Sequence, residues 1–109
     1  MEDFYETFAT AEIFRLTRTL NNYSQEEMAQ MLNLPRSTLT LIEGRKRVIS
    51  AEVLLQYLDT FNITQTDFDE TQAKVTKLLK ENTIDWLEIT HIVLHMLISA
   101  KKAKETPYE

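Results

Sequence analysis

Apolar positions recur at helical intervals along almost the whole chain. Phe4, Phe8, Ile13, Leu16 and Leu20 follow one another at steps near three, four or five, the period of a helix face turned to a core. One helix, straight or kinked near Thr10, is predicted to carry them until Asn21-Asn22-Tyr23 breaks the pattern. Ser24 has Glu27 three residues on, the spacing of a capping box in which each side chain satisfies the other's backbone amide. Met28, Met31 and Leu32 then mark a buried face. Asn33 is placed to end this helix, because asparagine tolerates the left-handed backbone a helix exit needs.

The pattern restarts at once. Pro35 stands where a new helix begins and a missing N–H costs little. Leu39 and Ile42 form the inward face of that helix, which is expected to end near Gly44. Ser50 is the expected cap of "AEVLLQYLDTF", with Glu52 favourably placed in its first turn. Thr66 and Asp69 repeat the capping-box spacing before the next helix, and Thr83 is the expected cap of the last, "IDWLEITHIVLHMLISAKKAKE". The reading is all-α, about six helices, with a C-terminal helical hairpin as the last two.

Composition narrows the picture without changing it. A chain of 109 residues supports one core. One glycine and two prolines are too few for the tight turns of a sandwich or barrel. The absence of cysteine removes disulfides and thiolate chemistry. "MEDFYETFAT" has no apolar core of a secretory signal, and "IVLHMLIS" is far short of the ~20 residues needed to span a bilayer. A cytoplasmic protein with no membrane association is expected.

The formal net charge is −5, but it is unevenly placed. Residues 1–11 hold three acids and no base, and residues 51–109 hold ten acids against six bases. Only residues 12–50 are net positive, with six bases against four acids, and Arg45, Lys46 and Arg47 stand together there.

Residues 25–44 meet the demands of two helices crossing steeply through a short turn. Ala29 is small where the helices approach. Met28, Leu32, Leu34, Leu39 and Ile42 are apolar on the facing sides, and Asn33 suits the turn. With these features in register, "YSQEEMAQMLNLPRSTLTLIEGRKRVISAEVLLQYLDTFNIT" resembles the Cro/CI/Xre helix-turn-helix domain of phage repressors and bacterial regulators, over roughly residues 12–64.

The resemblance implies a lambda-repressor-like fold and contact with double-stranded DNA. It implies base contacts from Arg36, Ser37, Thr40 and Leu41 on a recognition helix at 35–43, and backbone phosphate contacts from Gln25, Arg45, Lys46 and Arg47. It also implies a structural ion pair between Arg18 and Glu43. Arginine suits guanine and Leu41 suits a thymine methyl, although Leu41 packing on a neighbouring element is the alternative. The chain departs from the family at Glu43-Gly44-Arg45, where glycine usually comes one residue later. Either Arg45 takes a left-handed conformation, or the helix ends early at Gly44.

Residues 65–109 lie beyond the resemblance, and residues 1–11 read as an acidic extension of the first helix. Ile84, Trp86, Leu87, Ile89, Ile92, Val93, Leu94, Met96, Leu97 and Ile98 make the last helix apolar nearly all round, so it needs burial on more than one side. A homodimer through Trp86, Leu87, Ile89, Val93, Leu94 and Leu97 is expected; packing on its own N-terminal domain is the alternative. His91 and His95 lie one turn apart with Glu88 before them, yet the order is not a zinc-protease motif, and a structural role is expected rather than a metal. No nucleophile–base pair or phosphate loop is visible, so neither an enzyme nor a cofactor is expected. Two functions remain open: a dimeric repressor reading a palindromic operator, or a protein-interaction module, antirepressor or antitoxin-like, with a regulatory protein or peptide partner.

Overall fold

The computed structural model describes residues 4–82 and 85–105, with side chains to Lys102. These residues form six helices: α1 (Phe4–Leu20), α2 (Gln25–Met31), α3 (Arg36–Glu43), α4 (Ala51–Phe61), α5 (Gln65–Lys80) and α6 (Trp86–Glu105). The protein is all-α, and no strand occurs among the described residues.

The long helix α1 is the hub, packing on α3, α5 and α6. Every residue from Ala9 to Phe14 is buried, which a helix with a single buried stripe cannot achieve. The row expected to face inward is therefore only partly inside. Ile13 and Leu16 are buried, whereas Phe4 and Leu20 at the ends are exposed. Helix α1 runs uninterrupted through Thr10, whose hydroxyl accepts a 2.8 Å bond from Gln72 Nε2 on α5 and ties the two helices together.

An aromatic cluster joins α1, α4 and α5. Tyr57 stacks on Phe14 at 4.4 Å between centroids and meets Phe68 edge-on at 5.9 Å. Its phenol shares a 2.7 Å hydrogen bond with the Thr17 hydroxyl, so the one polar atom of a fully buried ring is satisfied. Burial pushes the Tyr57 phenol well above its ordinary range.

The helix ends follow a shared rule. Asn22, Asn33, Asn62 and Asn82 all adopt the left-handed backbone, and Arg45 is the one other described residue to do so. The Ser24–Glu27 capping box forms, with bonds of 3.0 and 2.7 Å, and Ser50 caps α4. One expected start shifts. Helix α5 is capped by Thr64, not Thr66: its hydroxyl accepts from the Asp67 amide at 3.0 Å. The left-handed turn at Asn62 and the burial of Ile63 bring the chain into position two residues early. Thr83 lies outside the described residues; at the start of α6 the Asp85 carboxylate accepts from the Leu87 and Glu88 amides at 3.0 and 3.2 Å.

Helix α6 lies on α1 and α5 and buries Ile89, Val93, Met96 and Ala100. Ile89, Val93 and Met96 each contribute roughly 1.5–3 kcal/mol through burial, and Ala100 less. Asn62 Nδ2 also donates to the Ala100 carbonyl at 3.2 Å, holding the far end of α6 to the α4–α5 turn.

Candidate nucleic-acid interface

Helices α2 and α3 make a tight pair because the turn between them is short and fully bonded. The Leu34 amide reaches the Ala29 carbonyl at 2.8 Å, the Asn33 amide reaches Gln30 at 3.1 Å, and Asn33 takes a φ of 58°. Ala29 is buried at the crossing, as its small side chain requires. Pro35 is the last residue before α3, extended at φ −62° and ψ 145°, and its ring delivers the chain into the helix.

Helix α3 sorts its residues cleanly. Leu39 and Ile42 are buried, whereas Arg36, Ser37 and Thr40 are exposed on the opposite side. Leu41 keeps 37% of its surface exposed, on the side of α3 away from Leu39 and Ile42.

A polar chain fixes the angle of α3. Glu43 at its end receives Arg18 of α1 through two bonds, Nε to Oε2 at 2.8 Å and Nη2 to Oε1 at 3.0 Å. The third guanidinium nitrogen donates to the Tyr23 carbonyl at 3.1 Å. The pair is largely dry, with side-chain exposures of 18% and 5%. Such a bidentate pair fixes orientation as well as distance.

Gln25 extends the same chain. Its Nε2 donates to Glu43 Oε1 at 3.1 Å and its Oε1 accepts from Thr40 Oγ1 at 2.9 Å. Gln25, the expected phosphate contact, thus braces α3 in the free protein. The Thr40 hydroxyl, expected at a base edge, is likewise held by Gln25 and the Arg36 carbonyl.

The basic loop leaves α3 through an unusual exit. Glu43 is the last helical residue and Gly44 follows at an ordinary φ of −83°. Arg45 then takes a φ of 62°. Both alternatives read from the exchanged pair thus occur together: the helix stops before Gly44, and Arg45 carries the left-handed turn. The Lys46 amide closes it on the Leu41 carbonyl at 2.9 Å. Lys46 and Arg47 are exposed, while the Arg45 guanidinium sits 4.1 Å from the centroid of the Phe8 ring. Sequence reasoning missed this contact. Phe8 carried only an inward-facing periodicity, and nothing local links positions 8 and 45.

The six α6 residues expected at a dimer contact do not share a face. Ile89 and Val93 are fully buried in the protein's own core, so they are unavailable to a second copy. Leu97 is half-buried. Trp86, Leu87 and Leu94 are exposed, joined by Ile98. At 3.6 residues per turn Leu87, Leu94 and Ile98 fall within about 40° of one another, roughly opposite Ile89 and Val93. His91 and His95 line a cleft of about 250 Å³ between α5 and α6, among Asp67, Glu70 and Lys74. Among the described residues no group of three or more His, Asp or Glu is placed to hold a metal ion. None of the described helices is long and apolar enough to cross a membrane.

Comparison with known proteins agrees with this geometry. No curated protein and no solved structure matches the chain. A family model described as a helix-turn-helix domain matches residues 11–69, more than half of the sequence, and covers α2, α3, α4 and most of α1. Domains of this kind make DNA the expected partner. With the α2–α3 pair, its buried apolar seam and its outward α3 face all inside the matched span, the chain belongs to the helix-turn-helix domain family.

Proposed function

We propose that the protein is a sequence-specific regulator of transcription, of the Cro/CI/Xre type, that binds double-stranded DNA through α3. The observation that carries this is the division of labour on α3. Its rear is pinned by the Arg18–Glu43–Gln25 chain, while Arg36, Ser37 and Leu41 are presented outward. A recognition helix needs both, because base contacts discriminate only when the helix is held still. Arg36 is the guanine-reading residue, Leu41 contacts a thymine methyl, and Ser37 adds a less selective contact. Thr40 contributes mainly by bracing. Lys46, Arg47 and Arg45 grip the flanking phosphates.

In this reading residues 12–64 form the DNA-binding unit and residues 65–109 the unit that brings two copies together, through Leu87, Leu94 and Ile98 with Trp86. A two-fold dimer sets two recognition helices about 34 Å apart on a palindrome and represses by covering a promoter. Selection of bound duplexes from a random pool, with the mass in solution measured alongside, tests it. A selected palindrome and a mass of two chains are expected. Failure to bind any duplex at low salt rejects the DNA reading, and a selected half-site bound by one chain rejects the dimer. Arg36→Ala should relax the choice at one base pair, whereas Lys46→Ala should weaken all sequences alike.

One set of observations favours a second reading, an interaction module acting on another protein. The chain is acidic overall, and Leu41, Leu87, Leu94 and Ile98 are exposed. A co-purifying protein partner whose binding survives Arg36→Ala and Lys46→Ala would favour it.

A further inference from the structure

Arg45 combines two features that local structure does not require. It occupies the left-handed backbone at φ 62°, although the adjacent Gly44 would take that conformation freely and sits instead at φ −83°. The four other left-handed positions are all asparagine, the residue for which the conformation is cheapest after glycine. A long side chain is therefore kept at a position that costs of order 1 kcal/mol. Its guanidinium is then laid over the Phe8 ring, 4.1 Å from the centroid.

The Phe8 ring is itself held. Trp86 at the start of α6 lies 6.3 Å from it, tilted by 32°, and Phe4 meets it edge-on at 6.1 Å. A cation over an aromatic face is bound through the ring's quadrupole and leaves its N–H groups available. Among the described residues no acceptor takes the Arg45 side-chain N–H groups. The result is an exposed, oriented arginine with no carboxylate on it among the described residues, beside the exposed Lys46 and Arg47. Phe8 and Trp86 both lie outside the matched span of 11–69, so the ring under Arg45 comes from beyond the matched residues.

We propose that Phe8 is a positioning residue for DNA binding: it pre-orients Arg45 so that the guanidinium meets a backbone phosphate without first being ordered. This rests on the DNA reading above. Ordering a free arginine side chain on binding has an entropic cost that pre-orientation removes, so the gain shows as affinity for every sequence alike. Phosphate contact adds no base preference.

A double-mutant cycle read by DNA affinity tests it, using the full chain, a duplex selected as above and melting curves for each variant. Arg45→Asn keeps the left-handed turn and should lower affinity and reduce the salt slope by about one contact. Phe8→Leu should weaken binding about 2- to 5-fold in the native background, the worth of an exposed cation–π contact. In the Arg45→Asn background it should cost nothing further, because Phe8 acts only through Arg45. Phe8→Tyr, which keeps an aromatic face, should bind as the native chain does. If Phe8→Leu melts early, Phe8→Met, whose unbranched chain adapts to the gap without supplying a ring, carries the same comparison. Equal loss in both backgrounds, or none in the native one, overturns the proposal while leaving the DNA reading intact. A native chain that binds no duplex overturns both.

Discussion

Helices α3 and α6 are held by different means. Helix α3 has eight residues and only Leu39 and Ile42 inside, so packing alone gives it a poor hold. Its angle comes from polar bonds at the end, where Glu43 meets Arg18 and Gln25. Helix α6 has twenty residues and sinks Ile89, Val93, Met96 and Ala100 into α1 and α5. The lesson concerns what is left outside. A helix fixed by a bidentate ion pair frees its polar face to be read, whereas one fixed by burial leaves its surplus leucines to find another surface.

The largest effect should follow from attacking the burial. Ile89→Ala empties a fully enclosed site and is expected to cost about 2–5 kcal/mol in urea unfolding, whatever the protein concentration. A loss below about 1 kcal/mol would mean that α6 is not seated on α1 as described. Next comes the polar hold on α3. Arg18→Met leaves the Glu43 carboxylate, 5% exposed, without its cation. About 3 kcal/mol should be lost, near the lower end for a broken buried pair because Gln25 still donates. The double change Arg18→Met with Glu43→Leu should recover most of that stability yet still bind DNA poorly, since the helix would be packed but no longer aimed. Full recovery of both would show the pair to be dispensable for orientation.

How much of this was legible in the sequence depends on the range of the interaction. Ser24 with Glu27, Asn33 at the turn, and Leu39 with Ile42 were readable because each is decided within one helical turn. The same rule misplaced the start of α5. Thr64 with Asp67 and Thr66 with Asp69 have identical spacing, and only the burial of Ile63 chooses between them. The Arg18–Glu43 pair spans 25 residues and was reached through family resemblance, not spacing. Nothing local reveals that Gln25 bonds to Thr40 or that Phe8 lies under Arg45. In α6 the excess of apolar residues was plain, but a helix apolar nearly all round does not say which side meets its own chain. Ile89 and Val93 were therefore assigned to a second copy when α1 and α5 already cover them.

The cap at the start of α2 gives a smaller and more local check on the α3 side. Ser24→Ala removes the acceptor for the Glu27 amide and is expected to cost about 1 kcal/mol. Because Gln25 follows directly and braces both Glu43 and Thr40, the loss should be accompanied by weaker DNA binding out of proportion to the stability change. An equal cost in stability with unchanged affinity would separate the α2 start from the hold on α3.

The smallest effect on folding, and the most telling for α6, is expected at Leu87. It is 81% exposed, so Leu87→Ala should change the unfolding free energy of a dilute single chain by no more than about 0.5 kcal/mol. That near-silence is the useful baseline. If two chains meet through Leu87, Leu94 and Ile98, the native protein's Tm rises with concentration, because association stabilises the folded form by mass action. Leu87→Ala should flatten that dependence while leaving the dilute limit where it was. Ile89→Ala should do the reverse, lowering the curve at every concentration without changing its slope. A native Tm independent of concentration, with a mass of one chain, would leave the outer stripe of α6 to a different partner and remove the dimer from the reading.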